Sequence, residues 1–163
     1  MLPATGLGSA IVDTPPMPAG SLYLVVGYDG SPPAIRALDA AVGLMRGRDG
    51  EIDVVYVAHL AAVDMLSADA IVEVEESFDE LERDLHAQAS EQLRGREERW
   101  RFERRGGMIP EELIVTAAHI RDAHPGDSTA IVVGSSTHAT HRLVGSVAVS
   151  LARHSPVPVV IVP

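Results

Sequence analysis

Short apolar runs alternate along this chain with longer segments whose apolar residues recur at helical spacing. The runs are mostly built from Val, Ile, Leu and Ala, which is typical of buried strands. Their alternation with helices indicates a parallel sheet, because parallel strands need a crossover connection between them. The predicted strands are residues 22–27, 52–57, 100–104, 130–133 and 157–162.

The intervening segments carry the start and stop signals of helices. Ser31 followed by Pro32 predicts an N-cap and a first turn, and Pro110 opens the third helix. Ser146 is predicted to cap a fourth helix that runs to His154. The second predicted helix is long. Its acidic run between residues 73 and 84 is interpreted as a solvated face. Its apolar face is predicted to be Val74, Phe78, Leu81, Leu85, Ala89 and Leu93.

Composition and length favour one doubly wound domain. Hydrophobic residues make up 46% of the chain and aromatic ones only 4%, so the core must be aliphatic, as in strands that are covered on both faces. We predict an α/β domain over residues 21–163, a doubly wound five-stranded parallel sheet in the order 3-2-1-4-5 with helices on both faces. Residues 1–20, which end in several prolines, are predicted to be a flexible N-terminal arm.

The charge and the missing residue types exclude several classes of function. A formal net charge of −10 disfavours binding to nucleic acid or to anionic membranes. The chain has no Cys, which excludes thiolate metal sites and agrees with a cytoplasmic setting, and no Lys, which excludes a Walker-type lysine. No apolar run approaches the ~20 residues of a membrane-spanning helix, and residues 1–20 lack the basic start of a signal peptide.

Topology predicts where a ligand would bind. In doubly wound sheets the site lies at the carboxyl ends of the two strands that flank the reversal in winding, here the first and the fourth. Those ends are Asp29 and Gly134. Asp29 has two interpretations that stay open: its carboxylate accepts hydrogen bonds from a base amino group or a ribose hydroxyl, or it stabilises the turn into the first helix.

The segment after the fourth strand contains glycines that suit a phosphate site. At Gly134 the missing side chain lets the backbone come close to a ligand. Gly145 and Ser146 begin a helix, whose free N–H groups and dipole favour a phosphate. The alternative for each is ordinary, a tight turn at Gly134 and a simple serine N-cap at Ser146. Together, at the predicted switch point, these residues indicate a phosphate loop.

The chain resembles the universal stress protein family in three stretches: VVGYDGSPPAIRAL, VVYVAHL and the ending VVGSSTHATHRLVGSVAVSLARHSPVPVVIVP. The resemblance runs from about Leu22 to Pro163. It implies a Rossmann-like fold of the adenine nucleotide α-hydrolase type that binds ATP or another adenine nucleotide, with any Mg²⁺ arriving on the phosphates. By this resemblance Asp29 and Val57 lie at the adenine and ribose, residues 134–135 begin the phosphate loop, and residues 145–147 hold phosphates. The predicted nucleotide-binding residues are Tyr28, Asp29, Val57, Val133, Gly134, Ser135, Thr137, Arg142, Gly145, Ser146 and Val147.

The phosphate half departs from the pattern of the nucleotide-binding members, which look like G-x-x-G-x9-G-[ST]. Thr137 stands at the second glycine and resists a positive φ. The stretch between Gly134 and Gly145 is also two residues shorter than the pattern. Two outcomes stay open: the shorter loop brings Arg142 and the nearby histidines to the anion, or the phosphate loop is lost.

The remaining expectations concern chemistry and partners. His138 and His141 form the closest histidine pair, but no Asp or Glu follows residue 127, so a solvated loop is favoured over a metal site. No general base can be named, so any ATP hydrolysis would be slow. The last strand, residues 157–162, is predicted at a sheet edge, and the family resemblance implies a homodimer through it. We predict a homodimeric stress-response protein in which an adenine nucleotide acts as a switch; the alternatives are a nucleotide-free protein that acts through protein contacts, and an enzyme.

Overall fold

The computed structural model describes residues 20–59, 67–135 and 145–163, and within them strands and helices alternate strictly. The strands are β1 (Leu22–Gly27), β2 (Gly50–Ala58), β3 (Trp100–Gly106), β4 (Ser128–Gly134) and β5 (Val159–Val162). The helices are α1 (Pro32–Met45), α2 (Ala68–Gln92), α3 (Ile109–Ala123) and α4 (Ser146–His154). None of these helices is both long enough and apolar enough to cross a membrane. The predicted arm, apart from Gly20, lies outside the described residues and stays a prediction.

The strands form one parallel sheet in the order β3-β2-β1-β4-β5, as predicted. The central strand β1 pairs with β2 on one side and with β4 on the other, so that Val26 lies between Val54 and Val132. Helices α1 and α2 pack on one face of the sheet, and α3 and α4 on the opposite face. The winding therefore reverses between β1 and β4.

Two aliphatic layers cover the faces of the sheet. The strands in the middle are buried on both faces, because their side chains alternate between the layers. Each fully buried aliphatic side chain stabilises the folded state by roughly 1.5–3 kcal/mol relative to an exposed one. The first layer includes Leu24, Val26, Val54, Leu38, Met45 and Leu85, and the second includes Val25, Val55, Ile131, Leu113, Ala117 and Leu151.

The observed strands β2, β3 and β4 are longer than the predicted ones, and β5 is shorter. Strand β3 extends to Gly106 because its arginines stay paired with β2, Arg105 with Val57 for instance. Strand β5 begins at Val159 instead of residue 157. The hydroxyl of Ser155 donates to the Val157 carbonyl at 2.7 Å and accepts from its N–H at 3.2 Å, so Val157 is held in a turn.

The long acidic helix α2 is attached partly by charge. Leu81, predicted on its apolar face, is 42% exposed, so that face is narrower than the spacing indicated. Arg104 of β3 instead pairs with carboxylates of the acidic run: its guanidinium lies 2.7 Å from Asp79 Oδ1, 3.4 Å from Glu82 Oε2 and 3.7 Å from Glu75 Oε2. These three carboxylates stay 36–59% exposed, so the predicted solvated face is present and part of it also forms ion pairs with β3.

Candidate functional site

A cavity of about 200 Å³ lies at the carboxyl ends of β1 and β4, where the winding reverses. It is lined by ends of strands and starts of helices, because in a parallel sheet both meet at this edge. Among the described residues of the predicted site, those that line the cavity are Tyr28, Asp29, Val57, Val133, Gly134, Gly145, Ser146 and Val147. The structure thus brings residues from both halves of the predicted site to one cavity.

The backbone of β2 presents peptide groups to this crevice. The N–H of Tyr28 donates to the Val55 carbonyl at 2.9 Å, and the pairing of β1 with β2 ends at Gly27 and Val55. Alternate residues of a strand turn their peptide groups to the same neighbour, so Val57 turns its N–H and C=O to the side of β1, beyond its end. These groups of Val57 therefore face the crevice.

The same alternation shows which neighbouring strand the peptide groups face at the end of β4. The N–H of Ser135 donates to the Val162 carbonyl at 2.7 Å, so Ser135 turns its N–H to β5. Gly134, one residue earlier, turns its peptide groups to the side of β1 and lines the cavity. Ser135, predicted to begin a phosphate loop, is not among the residues that line the cavity, and its N–H is already paired with β5.

The carboxylate of Asp29 serves the turn into α1 and also lines the cavity. Its Oδ1 accepts hydrogen bonds from the Ser31 N–H at 3.0 Å and from the Ser31 hydroxyl at 2.5 Å. Ser31 is the N-cap of α1, and its hydroxyl accepts from the Ala34 N–H at 3.4 Å. Asp29 is exposed, and its second oxygen makes no hydrogen bond within the described part of the chain. The turn interpretation is therefore correct for one oxygen, while the other is available to a ligand.

Gly134 has a structural reason to be glycine. A Cβ built on it would lie within 3 Å of the carbonyl oxygen, the carbonyl carbon and the Cβ of Pro33. The close approach that the sequence indicated is therefore an approach of the first turn of α1 to the end of β4. Since packing alone accounts for this glycine, Gly134 by itself is no evidence for a ligand.

The start of α4 differs by one residue from the prediction. Gly145 is the N-cap, with no side-chain cap, and Ser146 is the first helical residue instead of the cap. The first N–H groups of a helix have no partner within it, and the helix dipole makes this end positive. Residues 146–148 line the cavity, so an electropositive helix end faces it.

The sequence reasoning missed the apolar wall that α3 contributes. Ile109 and Leu113 line the cavity, and Leu113 lies close to Gly27. The signal was present in the topology, since α3 also starts at the carboxyl edge of the sheet, but only β1 and β4 flank the reversal. Asp29 carries the one charged side chain among the described residues that line the cavity.

Tyr28 connects the cavity to the core. Its side chain is 2% exposed, and burial raises its pKa above the ordinary value of 10.0, with a smaller contribution from Asp29 and then Asp39. The phenol is therefore a neutral hydrogen-bond donor around neutral pH. Its hydroxyl donates to Gln92 Oε1 at 3.4 Å.

The altered part of the predicted phosphate loop lies outside the described residues. Thr137, Arg142, His138 and His141 all fall within residues 136–144, so their predicted roles stay predictions. Over residues 20–59, 67–135 and 145–163 no group of three or more His, Asp or Glu side chains is arranged to hold a metal ion.

Comparisons with known proteins agree on one family. The model of the universal stress protein family matches residues 23–163, whereas no curated protein sequence matches the chain. Among solved structures, universal stress protein UspA from Lactobacillus plantarum is 21% identical with a TM-score of 0.64, over 89% of this chain and 99% of that one. A universal stress protein in complex with cAMP is 22% identical with a TM-score of 0.60, over 89% and 98% of the two chains.

A third similar structure is a universal stress protein family protein from Arabidopsis thaliana with AMP bound. It is 13% identical with a TM-score of 0.59, over 86% of this chain and 90% of that one. At such identities these structures are evidence for the fold, which they share with the sheet described above. The match of the family model over most of the chain shows that this protein belongs to the universal stress protein family.

Proposed function

We propose that this protein binds an adenine nucleotide, ATP in particular, in the cavity between Asp29 and the start of α4. The observation that carries the proposal is that a carboxylate with an unused oxygen and an uncapped helix N-terminus line one cavity at the switch point. Similar structures with cAMP or AMP bound support an adenine nucleotide as the ligand class.

Each part of a nucleotide has a matching group. The peptide N–H and C=O of Val57 suit the hydrogen-bonding edge of adenine, and the side chains of Ile109 and Leu113 suit its apolar faces. The free oxygen of Asp29 suits a ribose hydroxyl. The N–H groups of residues 146–148 suit a phosphate, and any Mg²⁺ would arrive on the phosphates.

The nucleotide is proposed to act as a switch in a cytoplasmic, homodimeric stress-response protein. Strand β5 supports the dimer: it lies at the edge of the sheet, pairs with β4 on one side, and its four residues are all partly exposed. An unpaired edge of apolar residues is a template for a second strand. Pairing of two copies of residues 159–162 would cover it.

Calorimetry of nucleotide-stripped protein with ATP, ADP, AMP and cAMP tests the proposal. The wild type should bind at least one of them, and Asp29→Asn should weaken binding about tenfold or more, because a hydrogen bond to a charged group contributes roughly 1.5–3 kcal/mol. Asp39→Asn is the matched control, since Asp39 is exposed on α1 and does not line the cavity. The affinity of the Asp39→Asn variant for the nucleotide should equal that of the wild type.

The competing function is that of a nucleotide-free protein acting through protein contacts. The sequence feature that favours it is Thr137 in place of the second glycine of the family pattern. No binding of any of the four nucleotides up to millimolar concentration, with the protein folded, would refute the proposal and favour this alternative. A nucleotide released from freshly purified protein and identified by mass spectrometry would contradict the alternative.

A further inference from the structure

The turn that carries Asp29 has helix α2 directly behind it. Gly30 has a φ of +74°, and a Cβ on it would lie 2.7 Å from both Leu85 Cδ2 and Gln88 Oε1 of α2. The turn between β1 and α1 is therefore enclosed between the cavity on one side and the last turns of α2 on the other. Helix α2 therefore packs against Gly30, the residue that directly follows Asp29.

Gln92, the last residue of α2, connects the two sides of this turn. Its Nε2 donates to the Ile35 carbonyl of α1 at 2.8 Å, and its Oε1 accepts from the Tyr28 hydroxyl at 3.4 Å. Because one end of the amide must donate and the other must accept, the two bonds fix its orientation. Tyr28, the residue directly after β1, immediately precedes Asp29, and Ile35 lies in the first turns of α1. One side chain thus spans the turn that holds the carboxylate.

We infer that Gln92 is a positioning residue for the nucleotide site: it holds the Asp29 turn in its binding geometry from outside the cavity. The inference rests on the proposed function. Gln92 is not among the residues that line the cavity, so it acts through Tyr28 and α1. The bond to Ile35 is the stronger of the two, since 3.4 Å is long for a hydroxyl donor.

A double-mutant cycle separates positioning from general stabilisation. The variants are Gln92→Leu, which removes both hydrogen bonds at similar volume, Asp29→Asn, and the double variant. Affinity is measured for each by calorimetry with AMP, or with ATP if the wild type binds ATP and not AMP. If Gln92 acts through Asp29, the Gln92→Leu change weakens binding about fivefold in the wild type, the size expected for one net hydrogen bond. The same change has no effect in the Asp29→Asn background, where the positioned carboxylate is absent.

Two controls keep the cycle interpretable. Glu91→Leu introduces the same residue one position earlier, on the exposed side of α2 where Glu91 pairs with Arg94, and should leave the affinity for the same nucleotide unchanged. Tyr28→Phe keeps the buried ring and removes only the weaker bond, so it should weaken binding less than Gln92→Leu does. It also serves as the test variant if Gln92→Leu does not fold.

The outcomes distinguish the two proposals. Wild-type protein that binds no nucleotide refutes the proposed function, and the positioning role falls with it. Wild-type protein that binds AMP or ATP, together with equal losses from Gln92→Leu in both backgrounds, refutes the positioning role alone, because a merely structural side chain would act independently of Asp29. Loss confined to the background that retains Asp29 supports the positioning role.

Discussion

Replacing Gly134 by Ala tests whether packing or ligand binding requires glycine at the end of β4. The added Cβ would overlap with the carbonyl group and Cβ of Pro33. Pro33 is in the first turn of α1, and its ring and backbone have little freedom to move aside. The whole start of α1 must therefore shift away from the sheet, or the end of β4 must bend.

The expected cost follows from these contacts. Overpacking of a well-packed interior costs roughly 1–3 kcal/mol, and a clash with backbone belongs at the upper end. Alanine regains about 0.4–1 kcal/mol because it reduces the entropy of the unfolded chain. The net loss in the free energy of unfolding is then about 2 kcal/mol, which lowers Tm by roughly 4–8 °C for a chain of this size.

Urea and thermal unfolding without nucleotide measure this cost, and Gly43→Ala is the control. Gly43 is an exposed residue inside α1, and a Cβ there meets no atom within 4 Å. That substitution should stabilise the protein by roughly 0.5–1 kcal/mol, because glycine is unfavourable inside a helix. The two glycine-to-alanine changes should thus have opposite signs. A Gly134→Ala variant within about 0.5 kcal/mol of the wild type, with weakened nucleotide binding, would show that the ligand requires this glycine.

Two further predictions concern buried polar groups. The side chain of Asp53 is fully buried on β2 and pairs with the half-exposed Arg101 of β3. Arg101→Leu should destabilise the protein by roughly 2–4 kcal/mol, because it leaves a buried carboxylate without its partner. Urea unfolding of the double variant Asp53→Val with Arg101→Leu should recover most of that loss, and a double variant as unstable as Arg101→Leu would contradict the reasoning. Burial raises the pKa of Tyr28 and of Tyr56 above 10.0 in the folded protein, so these phenols contribute stability that is present below pH 10 and lost as pH rises further. Urea unfolding between pH 9 and 11 should show this loss in the wild type and a smaller one in Tyr28→Phe with Tyr56→Phe; equal losses would exclude this cause.

The fold was predictable because local pattern and topology agree. Parallel strands buried on both faces read as continuous aliphatic runs, and right-handed crossovers leave few ways to arrange them. The predicted bounds of the strands were wrong where interactions other than apolar packing determine the end of a strand. Arg105 and Gly106 lie beyond the predicted end of β3 but stay paired with β2, and the hydroxyl of Ser155 holds Val157 outside β5. The pairing of Arg105 with the distant Val57 is not visible in local periodicity, and the local bonds of Ser155 to Val157 depend on a side-chain hydroxyl that an apolar pattern does not record.

The position of the site in the fold was predictable, but only some of the residues that line and support it were. The reversal between β1 and β4 follows from the order of elements, and it brings Asp29 and Gly145 to one cavity. The wall from α3 and the support from Gln92 depend on which helix packs beside which turn. No motif in the sequence encodes that contact, since Gln92 is distant from Tyr28 along the chain.

The residues of the crevice divide according to whether the fold already requires them. Gly134 is fixed by Pro33, and one oxygen of Asp29 by Ser31, so a crevice of this shape would exist in a protein that binds no nucleotide. Evidence for a ligand must therefore come from groups that the fold leaves without a partner. In the described part of the chain these are the second oxygen of Asp29, the peptide groups of Val57 beyond the end of β1 and the first N–H groups of α4. The residues that carry these three kinds of group line one cavity, and a nucleoside phosphate would satisfy donors and acceptors of all three kinds at once. For this reason Asp29→Asn, which changes an unused oxygen and leaves an acceptor for Ser31, is a sharper test of function than any substitution of a glycine.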